Sequence, residues 1–238
     1  MIKRIFTLCF LVISVAQAQE KLTAFGLQYK PIVPAAYFDA ANVEKEEGNY
    51  TFNLNPRFSN AFGMVIRHEL TKTLSIESGL NFIQRNYRLH ISNQEISLED
   101  YTDFGIRSYE LPIQLLAYIQ LNQSWYMNAS FGISQNTFAS DVFSRGKNNN
   151  NFYQNTGRRL RGQRALLANL GYEYRGSKKG YYYFGASLHR PWKEIARIYP
   201  EYDDGVNEFN SEAPSPTAFY LDILGNFITI DFRYFFHE

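Results

Sequence analysis

Apolar and polar residues alternate singly along most of the chain, and no stretch sustains the 3.6-residue period of an amphipathic helix. Single alternation is typical of strands whose two faces meet different surroundings. It predicts eight strands, several of them as long as the roughly 9 to 11 residues that a tilted strand needs to cross a bilayer. The predicted strands are residues 22–30, 57–69, 74–90, 104–120, 124–138, 164–176, 179–190 and 226–236.

Each predicted strand has one apolar face and one polar or small face. In the last strand the faces are Ile228, Ile230, Phe232, Tyr234 and Phe236 against Thr229, Asp231 and Arg233. A membrane barrel would turn the apolar face to lipid, whereas a soluble barrel of lipocalin type would bury it, with Leu170, Ile230 and Phe232 inside. Alternation alone leaves both arrangements open.

The connections between the predicted strands favour the membrane barrel, because long and short ones alternate. The long connections are 31–56, 91–103, 139–163 and 191–225, and the tight ones are 71–73, 122–123 and 176–178. Long extracellular loops and short periplasmic turns, with both termini in the periplasm, are typical of outer-membrane barrels. We therefore predict an all-β protein, an eight-stranded antiparallel up-and-down transmembrane β-barrel with long extracellular loops.

Aromatic residues make up 17% of the chain, which fits a membrane barrel with girdles of rings at the two membrane interfaces. Candidates for the girdles, all near predicted strand ends, are Trp125, Tyr126, Tyr172, Tyr174, Tyr181, Tyr182 and Trp192. One ambiguity concerns residues 219–224, which precede Gly225 and Asn226. This segment reads either as a further strand with a hairpin turn or as an extension of the last strand.

The two ends of the chain indicate export. Residues 1–18 combine a basic start, an apolar run and the small-residue site Ala16-Gln17-Ala18, which predicts a cleaved signal peptide and leaves 19–238 as the barrel domain. The single cysteine, Cys9, lies in the leader, so the mature chain has no thiol chemistry. The aromatic ending of residues 230–238 resembles the signal that the barrel-assembly machinery recognises, which makes that machinery an expected partner during biogenesis.

Four short motifs resemble the PorT-like outer-membrane β-barrel proteins of Bacteroidota. The most specific is Tyr-Glu-Leu-Pro-Ile-Gln-Leu-Leu-Ala-Tyr at 109–118, and it is accompanied by 25–30, 78–82 and 127–132. The resemblance spans most of the mature chain, and it implies a barrel in the bacterial cell outer membrane. Since a PorT-like namesake is linked to type IX secretion, it also implies, as an alternative role, an accessory component of a secretion or envelope-assembly complex.

Charge restricts the range of partners and predicts what fills the barrel. The 24 basic and 23 acidic residues give a net charge of +1, which offers no field for nucleic acid. Eight strands enclose a lumen that side chains can fill, so we expect no open pore. A lumen charge network is expected from residues on the polar faces: Arg67, Glu77, Arg85, Glu110, Glu173, Arg175, Asp231 and Arg233.

No catalytic, metal or cofactor motif stands out. The histidines at 68, 90, 189 and 237 lack a metal-ligand spacing such as His-x-x-x-His. Ser187 and His189 share one strand face, but no motif marks a nucleophile, and packing in the lumen explains both equally well. We expect no enzyme, no metal and no cofactor.

The two longest loops carry opposite charges. Loop 139–163 has five basic residues against one acidic residue, and loop 191–225 has two basic residues against seven acidic ones. They are therefore expected to pack on each other as a lid above the barrel. Arg158, Arg159 and Arg161 are suited to an anionic ligand or partner, such as the phosphate or carboxylate groups of surface glycolipid, and a solvated cap is the alternative.

These patterns predict a small non-enzymatic module of the cell envelope, structural or interacting in function, that recognises its partners through the outer loops. The expected surroundings and partners are outer-membrane lipid, lipopolysaccharide and an envelope protein.

Overall fold

The computed structural model describes residues 23–33, 43–148, 151–176, 180–210 and 219–236, so the predicted signal peptide lies outside the described residues. In these ranges no helix is long and apolar enough to cross a membrane. The strands are β1 Thr23–Val33, β2 Val43–Glu47, β3 Tyr50–Glu69, β4 Leu74–Asn93, β5 Leu98–Gln120, β6 Trp125–Phe138, β7 Val142–Arg145, β8 Phe152–Arg158, β9 Gly162–Arg175, β10 Tyr181–Pro191, β11 Ala196–Asp203, β12 Glu208–Asn210, β13 Leu221–Ile223 and β14 Phe227–Phe235.

Eight strands close into an antiparallel ring in the order β1, β14, β10, β9, β6, β5, β4 and β3, and β3 pairs again with β1. At the seam Gly26 lies opposite Phe235 of β14 on one side and Val65 of β3 on the other. The ring confirms the predicted eight-stranded antiparallel barrel. Each barrel strand overlaps its predicted segment, but β3 begins at Tyr50 and β5 at Leu98, both earlier than predicted, because these strands continue beyond the closed ring.

The apolar faces point outward and the polar faces point into the barrel. Leu170 is 57% exposed and Phe232 47% exposed, whereas Asp231 is fully buried. The soluble alternative, which placed the apolar faces inside, is therefore wrong. Trp125, Tyr172, Tyr174, Tyr182 and Trp192 also face outward, as a girdle requires.

Tyr126 and Tyr181, two of the candidate girdle residues, lie on the inner face of the barrel, so the prediction that they belong to a girdle is wrong. Their rings lie 4.5 Å and 5.2 Å from the guanidinium carbon of Arg175, whose side chain points into the lumen. They are neighbours in sequence of the outward-facing Trp125 and Tyr182, so alternation places them on the inner face.

Tight turns and both described chain ends lie at one end of the barrel, hereafter the turn end. Leu70 N donates to Leu74 O at 2.9 Å, and Asn122 Oδ1 accepts from the backbone N–H groups of Ser124 and Trp125. Phe236 N donates to Phe25 O nearby. The third predicted tight turn falls largely on residues 177–179, outside the described residues.

Two irregularities interrupt the barrel ladders. A one-residue bulge shifts the β3–β4 register between Arg57 and Asn60. The β4–β5 pairing is interrupted at Leu111 and Pro112, and it resumes at Ile113 without a register shift. This break agrees with the interruption expected at proline, which has no backbone N–H to donate.

The long loops contain strands, most of which the sequence pattern did not predict. Strands β7, β8, β11, β12 and β13 form a second sheet, hereafter the cap, in the order β12, β11, β8 and β7 with β13 on β11. Loop segments 139–163 and 191–225 meet in this sheet, where Ile198 lies opposite Thr156. The ambiguous segment 219–224 contributes β13 to the cap, so the barrel keeps eight strands.

A hydrophobic core joins the cap to the inner faces of the extended barrel strands. Phe52, Leu89 and Ile91 come from β3 and β4, and Phe152 and Ile198 come from the cap. All five side chains are fully buried. Apolar burial therefore closes the barrel at the end opposite the turn end.

Candidate functional site

The lumen near the turn end is filled by a continuous chain of buried ion pairs. Arg67 contacts Glu77 at 2.9 Å and also pairs with Glu173. Arg233 pairs with Glu77 and contacts Asp231 at 2.9 Å. All five side chains are nearly or fully buried, so each charge has lost its water and depends on these partners.

Further residues extend this chain of charges. Arg175 Nε donates to Glu173 Oε1 at 2.6 Å, and Lys30 Nζ lies 3.3 Å from Asp231 Oδ2. The Arg67 guanidinium also lies over the ring of Phe235, 4.0 Å from its centroid. Six of the eight predicted lumen residues thus belong to one network: Arg67, Glu77, Glu173, Arg175, Asp231 and Arg233.

The other two predicted lumen residues, Arg85 and Glu110, lie nearer the cap and outside that network. Arg85 Nη1 donates to Ser108 Oγ at 2.8 Å. Glu110 accepts from Asn81 Nδ2 at 2.9 Å and contacts His189 Nε2 at 3.1 Å. Alternation identified the inward face correctly, but the choice of partner depends on the shape of the closed barrel.

Ser187 and His189 do not form a catalytic pair in this arrangement. Ser187 Oγ donates to Asp231 Oδ2 at 2.6 Å, whereas His189 contacts the carboxylate of Glu110. They share only a lumen cavity of about 20 Å³, which has room for about one water molecule. The described residues also contain no group of three or more His, Cys, Asp or Glu that could hold a metal ion.

The cap presents a basic cleft of about 320 Å³, formed where β8 and β11 pair. Its lining has three basic side chains against one acidic side chain, with two further polar residues: Arg158, Arg159, Arg197, Asp141, Asn155 and Tyr199. Gly157, opposite Arg197 in the ladder, has open space where a side chain would project. The cleft is thus accessible to solvent and is built from both long loops.

The three predicted ligand-binding arginines have different surroundings. Arg158 Nη1 donates to the carbonyl oxygens of Phe138 and Ala139 at 3.0 Å each, and its Nε lies 3.3 Å from Asp141, so this side chain fastens the cap to β6. Arg159 is exposed in the cleft. Arg161 is exposed as well, but it does not line the cleft.

Arg197 also lines the cleft, although the sequence pattern did not predict it as a binding residue. It lies in the acidic loop, where Asp222 Oδ1 accepts from its Nε at 2.8 Å, and this hydrogen bond raises the pKa of Arg197. The guanidinium also lies 3.9 Å from the centroid of Tyr220. The alternation of apolar and polar residues in 196–202 was the available signal, because it predicts a strand that presents Arg197 on one face.

The packing of the two loops also corrects the electrostatic argument for the lid. The two loops do pack together, but the ion pairs Arg158–Asp141 and Arg197–Asp222 each join residues of the same loop. The loops meet through the β8–β11 ladder and the apolar core beneath it. In the described residues, the contacts that join the two loops are thus mainly backbone pairing and apolar burial.

No protein-family model matches the sequence, and no curated protein resembles it at the sequence level. Among solved structures, the outer membrane protein OprG from Pseudomonas aeruginosa aligns over 92% of this chain and 98% of its own, with a TM-score of 0.52 and 14% identity. The chain has the fold of that outer-membrane barrel. The translocator domain of the autotransporter NalP from Neisseria meningitidis aligns over 99% of this chain and 95% of its own, with a TM-score of 0.32 and 10% identity.

Proposed function

We propose that the protein is a β-barrel of the bacterial outer membrane, with its termini and turns in the periplasm and its cap outside the cell. The outward apolar faces of the eight ring strands support this location, because such a band suits lipid rather than water. Membrane fractionation with a heat-modifiability gel tests it. We expect sedimentation with the outer membrane and an unheated band that migrates differently from the boiled band, and recovery in a soluble fraction would reject the location.

We infer that the protein is a non-enzymatic interaction module whose working surface is the cap. The observation that carries this inference is the closed lumen, filled by buried ion pairs at one end and by the apolar core at the other. A closed lumen leaves little room for a pore or for a substrate. The basic cleft between β8 and β11 then offers a polar surface for recognition on the cap.

The proposed ligand of the cleft carries phosphate or carboxylate groups, as the sugars of surface glycolipid do. Arg159 is exposed there and its planar guanidinium suits such groups. The test is binding of the water-soluble core oligosaccharide of lipopolysaccharide, freed of lipid A, to detergent-purified protein. We expect Arg159→Gln to weaken binding roughly tenfold, and Arg161→Gln, just outside the cleft, to leave it unchanged. Equal binding by the wild type and Arg159→Gln would show that the oligosaccharide does not bind in the cleft.

A second proposal follows from the PorT-like resemblance, namely a role as accessory component of a Bacteroidota secretion or envelope-assembly complex. Exposed apolar side chains on the cap favour a protein partner, since Val206 is 90% exposed and Phe143 57% exposed. Mild-detergent co-purification tests this proposal. A stable stoichiometric partner that is lost on Val206→Asp and Phe143→Asp would support it, whereas purification of the barrel alone would not.

A further inference from the structure

The outward face of the barrel changes abruptly from apolar to basic at its cap-side edge. Along β5 the outward side chains run from Leu111 and Tyr109 to Arg107, and along β9 from Leu166 to Arg164. Two further strands repeat this change. The exposed arginines that lie directly above the apolar band, hereafter the arginine belt, are Arg57, Arg107, Arg164 and Arg190.

Among the described residues, the outward strand positions at the opposite edge of the apolar band carry no arginine. The outward positions near the turn end are aromatic on β6, β9, β10 and β14, where Trp125 packs on Tyr174 and Tyr182 packs on Tyr234, with ring centroids 5.2 Å and 5.1 Å apart. Rings with polar tips suit an interface without demanding a charged partner. In the described strands, the arginines of the outward face therefore lie at the cap-side edge of the band.

Most of the belt is not neutralised by the protein itself. Among the described residues, no ion pair includes Arg57, Arg107 or Arg164. Asp103 lies on the same outer face as Arg107, but Arg88 holds it with two hydrogen bonds of 2.6 Å and 2.7 Å. Asp103 also attracts Arg57 electrostatically, but its carboxylate is held by Arg88. Arg57, Arg107 and Arg164 can therefore bind an external anion through their guanidinium groups.

The bulge in β3 aims Arg57 at the edge of the apolar band. It places Arg57 and Phe58 next to each other on the exposed surface, although neighbours in a regular strand face opposite ways. Asn86 Nδ2 donates to Phe58 O at 2.8 Å, and Ser59 Oγ donates to Arg57 O at 2.8 Å. Side chains thus satisfy the backbone of the bulge and hold a cation beside an exposed ring.

An open cleft of about 630 Å³ lies beside this bulge. Arg57, Phe58, Asn86 and Asp103 line it, together with Gly105, which adds no side chain between Arg107 and Asp103 on the outer face of β5. Its size is in the range of small-molecule sites. An anionic headgroup seated there would contact Arg57 while an attached acyl chain lies against Phe58.

We propose that the arginine belt binds the phosphate groups of the phosphorylated glycolipid that forms the outer leaflet of the bacterial outer membrane. Guanidinium groups form paired hydrogen bonds with phosphate, and the apolar band below accommodates the acyl chains. This inference rests on the proposed outer-membrane location, but not on the ligand of the cap cleft. It also accounts for the position of these arginines at the cap-side edge, since the outer leaflet carries this anionic lipid.

The experiment measures binding of bisphosphorylated lipid A, presented in mixed detergent micelles, to purified full-length barrel. We expect Arg57→Gln with Arg107→Gln to weaken binding at least roughly tenfold, since two charge-assisted contacts are removed. The charge-preserving pair Arg57→Lys with Arg107→Lys is expected to retain most of the affinity. The matched control, Lys45→Gln with Arg145→Gln, removes the same charge from exposed residues that do not line the cleft beside the bulge, and it is expected to bind like the wild type.

Two further probes identify the source of the phosphate. Dephosphorylated lipid A is expected to bind the wild type as weakly as lipid A binds the double glutamine variant, and millimolar inorganic phosphate is expected not to compete. Unchanged binding by the glutamine variant, equal binding of dephosphorylated lipid A, or competition by inorganic phosphate would each overturn the proposal. If the double variant does not fold, the single variant Arg107→Gln, which lies away from the bulge, is measured in its place. Fractionation tests the membrane location independently of these results.

Discussion

At the residue scale, the buried charges of the lumen carry the largest energetic consequences. Arg67 lies between the carboxylates of Glu77 and Glu173 and is 2% exposed. Its transfer from water is unfavourable, and the paired carboxylates and the rings of Phe235 and Tyr118 offset that cost. Removal of the guanidinium leaves two buried carboxylates with reduced compensation.

Arg67→Ala is therefore expected to lower the free energy of unfolding by about 3–5 kcal/mol, which is the usual cost of breaking a buried ion pair. The measurement is urea titration of the barrel refolded into lipid vesicles. Arg88→Ala is the control, because the Arg88–Asp103 pair is solvent-exposed and water replaces the lost partner. A loss in Arg88→Ala as large as that in Arg67→Ala would contradict this account of the lumen.

At the scale of elements, irregular backbone is stabilised by specific side chains. The turn between β11 and β12 is held by Asp204, whose Oδ1 accepts from Val206 N at 2.9 Å and from Asn207 N at 2.6 Å. Gly205 occupies the turn with φ of 83°. Glycine adopts a positive φ without steric cost, and an aspartate side chain can accept the backbone N–H groups of a turn. Gly205 and Asp204 therefore both favour this turn.

Acid is expected to loosen this turn. The backbone hydrogen bonds from Asn207 and Val206 lower the pKa of Asp204 below its ordinary value of 3.8. Since the folded pKa is depressed, the stabilisation is present above about pH 4 and is lost as pH falls through the folded pKa. Hydrogen exchange of the Val206 and Asn207 amides measures it, and protection should fall with acid. Asp204→Asn, which keeps an acceptor oxygen, should abolish that pH dependence, and an unchanged profile in Asp204→Asn would assign it to another group.

At the scale of the whole molecule, the two ends of the barrel lumen are filled by two different kinds of interaction. Ion pairs fill the half near the turn end, and apolar side chains of β3, β4 and β5 pack against the cap at the other. The first closure depends on charge pairing in a dry lumen, whereas the second depends on the hydrophobic effect.

A closed lumen predicts no stable ion conductance after reconstitution into a planar bilayer. The lumen cavity beside Ser187 and His189 holds about 20 Å³, far too little for a hydrated ion path. A porin measured in the same bilayer provides the positive control. If the purified protein gives step-like currents that scale with its concentration, the ion network opens. That result would contradict the closed lumen and favour a transport role.

Several features were predictable because they depend on the two-residue period of a strand. The inward placement of Asp231 and Arg233 and the outward placement of Phe232 followed from alternation once the outward face was identified. The β8–β11 pairing was not predictable in this way, because about 40 residues separate Thr156 from Ile198 and neither short strand has a hairpin turn to its partner. Local alternation could have placed Arg197 on a strand, but its position beside Arg159 in the cleft depends on this pairing.

Alternation, aromatic content and the alternating lengths of the connections were sufficient to determine the eight-stranded barrel, because strand period and turn length are local properties of a chain. Tertiary structure alone decided which charges pair, since Arg67 and Glu173 are 106 residues apart and meet only across the closed ring. It also decided that two loops of opposite charge meet through backbone and apolar contacts. Such contacts depend on the shape of the assembled barrel, which no local pattern encodes.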